Sequence, residues 1–99
     1  MAHRLTPQAE ADLDQIWGYI VSESGNIEFA RRQIASIVAR FLLLAKHPRV
    51  GRKRDSDLGP GRRSHPVDQY VVVYRIVDED VLILRVAHSS RDIAALFDN

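Results

Sequence analysis

An α+β fold, with an N-terminal helical hairpin packed on one face of a small antiparallel sheet, is what this sequence predicts. Three observations predict it. Apolar residues recur at helical spacing from Ala9 to Ala45, with a single interruption at Ser24-Gly25-Asn26. From Tyr70 onward the period falls to two, the spacing of strands. The segments follow in the order β-α-α-β-β-β with a short C-terminal helix, which layers a hairpin on a sheet.

Each element has its own signals. His3-Arg4-Leu5 reads as a short edge strand. Thr6 is a natural N-cap and Pro7 suits the first helical position, where its missing N–H costs nothing. Ala9, Leu13, Ile16, Trp17 and Ile20 then form one apolar stripe, which assigns Trp17 to the core and leaves Tyr19 outside as a contact for a partner. Glu10, Asp12 and Asp14 place acidic charge in the first two turns, as the helix dipole favours. Gly25 ends this helix and Asn26 caps the next. The second helix runs from about Ile27 to Lys46 on the stripe Ala30, Ile34, Ile37, Val38, Phe41, Leu42 and Ala45, and His47-Pro48 stops it. Pattern is lost between Arg49 and Arg63, a long surface loop rich in glycine and charge. Arg62 to Val67 is an irregular or edge strand because of Pro66. Tyr70 to Val77 and Val81 to His88 pair across an Asp78-Glu79-Asp80 turn. Strand parity assigns Tyr70, Val72, Tyr74, Ile76, Leu82, Leu84 and Val86 to the face against the helices. Val71, Val73, Ile83 and Ala87 fall on the other face, partly under a tail carrying Ile93, Leu96 and Phe97.

Composition narrows the function. Ninety-nine residues make one domain, 1–99, with 45% apolar and 27% charged residues. The chain has no cysteine, so disulfides and thiolate metal sites are excluded, and His3, His47, His65 and His88 are too dispersed for a metal site; no metal or cofactor is expected. The N-terminus lacks the apolar segment of a secretory signal, and no apolar run is long enough to span a bilayer; a cytoplasmic location is expected. Net charge is +1, yet Arg49, Arg52, Lys53, Arg54, Arg62 and Arg63 face only Asp55 and Asp57 within one stretch, a local balance of about +4. Such a patch attracts an anionic partner. No aromatic residue lies between Arg49 and Arg63 to stack on bases. Gly59-Pro60-Gly61 reads as a flexible turn, since no strand leads into it and no helix follows.

The ordered motifs resemble a known family. Leu5-Thr6-Pro7 with Ala9, Asp12-Leu13 and Ile16-Trp17-x-Tyr19-Ile20 is similar to the opening helix of ParE-type toxins. His47-Pro48-x-x-Gly51-Arg52 resembles the family's break after the second helix, and Tyr70 to Ile76 with Val81 to Asp92 resembles its last two strands and tail. The resemblance to the RelE/ParE toxins of type II toxin-antitoxin systems spans nearly the whole chain, and the ParE-like branch is favoured. It implies a growth-inhibiting toxin that poisons DNA gyrase, held silent in a hetero-oligomer with a cognate antitoxin, ParD-like or similar. The alternative it implies is a RelE-type mRNA interferase acting on the ribosome. The resemblance places the basic, functional side at Arg52, Arg54, Arg62, Arg85, His88 and Arg91; with Lys53 and Arg63 of the basic stretch, target binding is expected at Arg52, Lys53, Arg54, Arg62, Arg63, Arg85 and Arg91. The antitoxin is expected on Val71, Val73, Ile83 and Ala87. For RNA cleavage, His88 would be the base and Arg85 the stabilising cation, but a second proton-transfer group is not evident. RelE-like nucleases tend to carry a tyrosine near the C-terminus; here Ser89 follows His88 and no tyrosine lies beyond Tyr74. Catalytic residues are therefore left unassigned, and a non-enzymatic action is expected.

Overall fold

Thr6 opens the first helix as its side chain accepts a hydrogen bond from the Ala9 amide, while its hydroxyl donates to the Leu84 carbonyl and so fixes the helix to the sheet. The computed structural model describes residues 2–97. Its elements are β1 (His3–Leu5), α1 (Pro7–Ser24), α2 (Ile27–Lys46), β2 (Arg52–Lys53), α3 (Asp55–Leu58), β3 (Arg62–Val67), β4 (Tyr70–Val77), β5 (Asp80–His88) and a 3-10 turn (Ala94–Phe97). Gly25 ends α1 in the left-handed region at φ 65°, and the Asn26 side chain caps α2 by accepting from the Phe29 amide. The fold class is the α+β hairpin-on-sheet arrangement that the sequence predicts.

The five strands lie in the order β1-β5-β4-β3-β2. Every pairing is antiparallel except β1 on β5, which is parallel; α1 and α2 carry the chain from β1 at one edge of the sheet to β2 at the other. The main core joins Ile16 and Ile20 of α1, Ile37, Phe41 and Leu44 of α2, and Tyr70, Val72, Tyr74, Val81, Ile83 and Val86 of the sheet. Each such side chain contributes about 1.5–3 kcal/mol of hydrophobic stabilisation. A second cluster on the opposite face joins Leu58, Val73, Ala87 and Ile93, with Val71, Leu84, Leu96 and Phe97 packed around it. The tail therefore covers that face, as the sequence anticipates.

Four expectations are corrected. Parity reads β5 wrongly before its middle, because Tyr74 pairs with Ile83 while Val73 pairs with Arg85; Leu84 is an extra residue, a bulge. The bulge puts Ile83 in the helix-side core with 0% exposure and sends Leu84 to the second cluster. Trp17 is 36% exposed, since the buried ridge of α1 runs through Ala9, Asp12, Ile16 and Ile20 instead. On α2 the buried ridge is rotated toward Leu44, leaving Val38 and Leu42 exposed. The stretch 49–63 is no open loop: β2 pairs with β3, and α3 buries Leu58.

Candidate functional site

The arginines divide into those that hold the fold and those that do not. Arg54 forms a 2.6 Å ion pair with Asp57 and donates to the Ser64 hydroxyl, pinning α3 over β3. The pair holds the Asp57 carboxyl below its ordinary range and lifts Arg54 above its own. Arg62 donates to the Leu58 carbonyl and lies over the Phe97 ring, 4.4 Å from its centre, so it ties α3 to the tail. Arg63 donates to the Gly51 carbonyl at 2.9 Å. Arg52 and Lys53 are exposed on the edge strand, and Arg91 is exposed beyond β5.

Arg85 is the most committed of all. Its Nε and Nη2 donate to the Asp12 carboxylate at 2.8 and 3.0 Å, and the Val86 amide donates to the same carboxylate at 2.8 Å. Asp12 is buried, and hydrogen bonding to it raises the Arg85 pKa. The acidic residue that the sequence assigns to the helix dipole is thus the clasp between α1 and the bulge of β5. Arg85 consequently turns toward the helices.

His88 also faces the helical side. Its ring meets Tyr70 edge-on at 5.5 Å, and its Nδ1 is 2.8 Å from the Ser90 hydroxyl. An open cleft of about 720 Å³ lies there, between the tip of the hairpin and the end of the sheet. Around His88 and Arg91 it gathers Tyr19, Glu23 and Tyr70. Those three groups are the proton-transfer candidates that the sequence does not reveal, because they come from α1 and β4, far away along the chain. Burial pushes the Tyr70 hydroxyl above its ordinary pKa, and the nearby Tyr19 adds to the shift.

Three of the four expected antitoxin contacts are covered: Val73 and Ala87 lie in the second cluster and Ile83 in the main core, while Val71 is half-buried. The exposed apolar surface is instead on the hairpin. Trp17 on α1 and Val38, Leu42 and Leu43 on α2 are exposed, as are Tyr19 and Phe29 at the cleft. Among the described residues no helix is long and apolar enough to cross a membrane.

Residues 4–93 match the family described as ParE toxin of type II toxin-antitoxin system, parDE. The chain belongs to this family within the RelE/ParE toxins. It is similar to Toxin ParE3 of Caulobacter vibrioides, 37% identical over 91% of this chain and 88% of that toxin. The chromosomal ParDE toxin-antitoxin system of P. aeruginosa shares the fold at a TM-score of 0.77 and 28% identity, covering 89% of this chain and 95% of the other. The RelBE2 toxin-antitoxin complex of Mycobacterium tuberculosis follows at 0.62 and 30%, covering 88% and 95%.

In this toxin α2 is stitched to β3 by polar contacts that a hydrophobic reading misses. Gln33 and Ser36 donate to Asp68, each at 3.0 Å, and Arg40 Nη1 is 2.9 Å from His65 Nε2. A guanidinium can only donate, so this nitrogen of His65 is the acceptor and the ring is neutral. Burial lowers the His65 pKa, and the Arg40 charge lowers it further. A base depressed in the folded state binds its proton more readily when unfolded. Its stabilising contribution is therefore complete above the unfolded pKa of about 6.5 and is lost as pH falls below it. Melting temperatures at pH 7.5 and pH 5 should differ more for the native toxin than for His65→Gln; equal differences would show that His65 is not linked to folding.

Proposed function

We propose that the toxin acts in the ParE manner, on DNA gyrase inside the cell, and is silenced by a cognate antitoxin bound to it as a hetero-oligomer. The observation that carries this reading is the Asp12–Arg85 clasp. RNA cleavage through the 2′-hydroxyl needs free positive charge near the phosphorane, and of the two arginines three residues from His88, Arg85 is paired with a buried carboxylate, which leaves only Arg91 exposed at the cleft. The His88 Nδ1 is likewise engaged by Ser90. Membership of the ParE toxin family and the likeness to Toxin ParE3 support the same branch.

The partner reading rests on exposed apolar surface. Trp17, Val38, Leu42 and Leu43 leave the hairpin with apolar side chains in water. An amphipathic antitoxin helix laid against α1 and α2 removes them from it. Val71, Val73 and Ala87 join that interface only if the tail lifts from the sheet.

Purified toxin should inhibit gyrase supercoiling or accumulate cleaved DNA complexes, and leave message intact in a reconstituted translation system. His88→Ala should then retain growth inhibition. The cleft supports one second reading, an mRNA interferase in which Tyr19, Glu23 or Tyr70 completes the proton transfers of His88. Codon-dependent cleavage that disappears in His88→Ala would establish that alternative and remove the gyrase reading.

A further inference from the structure

The register of the sheet sets three arginines in one line. Arg4 of β1 is paired with Leu82 of β5, Leu82 with Arg75 of β4, and Arg75 with Arg62 of β3. Directly paired residues share a face. That face is the one opposite the hairpin, because the Arg62 guanidinium lies over Phe97 of the tail, and Val73, two residues before Arg75 along β4, belongs to the second cluster. Arg52, paired with Ser64, lies one step along on the same face. Arg4, Arg52 and Arg75 are exposed, and among the described residues none of these four arginines forms an ion pair. Arg62 and Arg75 are paired across β3 and β4; the Arg62 guanidinium is drawn to the Leu58 carbonyl and Phe97, while among the described residues Arg75 has no such partner. The acidic turn at Asp78 and Glu79 joins β4 to β5 and flanks the middle of the line, and Asp80, paired with Val77, lies one row away on the same face.

We propose that this arginine line docks the phosphate backbone of duplex DNA. The line covers three strand spacings, roughly 14 Å, a length over which one strand of a duplex presents about four phosphates. Two features favour a duplex over other anions. A protein interface needs an apolar anchor at its centre, and only half-buried Leu82 stands within the line. Single strands need aromatic platforms, and the one aromatic ring nearby, Phe97, is already covered by Arg62. The contacts reach phosphates and no bases, so binding is independent of sequence. This deepens the gyrase reading, on which its biological setting rests, since gyrase holds duplex DNA.

The test is fluorescence anisotropy of the purified full chain with a labelled 20-base-pair duplex, between 50 and 200 mM salt, beside the matching single strand and a polyglutamate peptide. With the Arg62 guanidinium engaged by Leu58 and Phe97, the three exposed arginines Arg4, Arg52 and Arg75 give a slope of log affinity against log salt of about −2.7, and the double variant Arg4→Gln, Arg75→Gln about a third of that. Arg31→Gln, an exposed residue on α2, is the control and keeps the native slope. The proposal is overturned if the double variant keeps the native slope, or if single strand or polyglutamate binds as tightly as the duplex. Supercoiling assays on the same proteins separate the two readings. Duplex binding without gyrase inhibition sinks the gyrase reading and leaves the line standing; gyrase inhibition by a chain with no affinity for duplex sinks the line alone.

Discussion

Replacing Asp12 by alanine is expected to destabilise the toxin more than any surface change, by about 3–5 kcal/mol. The carboxylate holds three donors at once: two nitrogens of Arg85 and the amide of Val86. Its loss leaves a partly buried guanidinium without its counter-charge and a buried backbone N–H without an acceptor, and burial is what makes both expensive. For a domain of this size the melting temperature should fall by at least about 12 °C. Asp12→Asn keeps one acceptor oxygen and should lose distinctly less. A thermal melt of Asp12→Ala within experimental error of the native protein would show that the clasp contributes nothing. Arg85→Ala should behave like Asp12→Ala, and the double variant should be far from additive because both changes remove one interaction.

The second large effect is expected at Gly51. A methyl group built there would collide with the Tyr74 hydroxyl and lie 2.7 and 2.8 Å from ring carbons. Tyr74 cannot retreat: it is fully buried, and its hydroxyl donates to the Pro48 carbonyl at 2.7 Å while accepting from the Gly51 amide at 2.8 Å. Burial raises the pKa of this hydroxyl, which keeps it a donor at neutral pH. Gly51→Ala should therefore cost about 1–3 kcal/mol from overpacking, with more if the two hydrogen bonds break. It should also loosen the segment that carries Arg52 and Lys53. Amide hydrogen exchange reads this directly: the amides of residues 49–54 should exchange faster in Gly51→Ala, and unchanged protection would refute the anchoring role.

Much of the fold was legible because its signals are local. Thr6-Pro7, Gly25-Asn26 and His47-Pro48 mark helix ends through their own backbone chemistry, and period two marks β4 without reference to any partner. What escaped depends on residues distant in sequence. A bulge is invisible to strand parity, which therefore places Ile83 and Leu84 on each other's faces. The stripe on α1 has a carboxylate among its buried positions, and Asp12 does not look like a core residue until Arg85 is beside it. Hydrophobicity alone points Trp17 to the core, yet the ridge that packs on the sheet passes it by. The basic stretch was legible as charge but not as structure. Arg54, Arg62 and Arg63 turn inward to Asp57, Phe97 and Gly51, while Arg52 and Lys53 stay exposed within the stretch and the exposed Arg4 and Arg75 lie outside it. The His47-Pro48-x-x-Gly51 motif gains its reason only from Tyr74, which occupies the space that any side chain at 51 would need.

The parallel pairing of β1 with β5 has a consequence for timing. His3, Arg4 and Leu5 find their strand partners at Val81, Leu82 and Ile83, and Thr6 and Asp12 find theirs between Ile83 and Val86. A ribosome making this chain releases the helical hairpin early, since its contacts are local, but the first strand waits until β5 has been made. Arg4 joins Arg75 and Arg62 only at that moment. A chain that stops short of β5 thus carries no assembled surface of this kind, and the line forms only once that strand has been made.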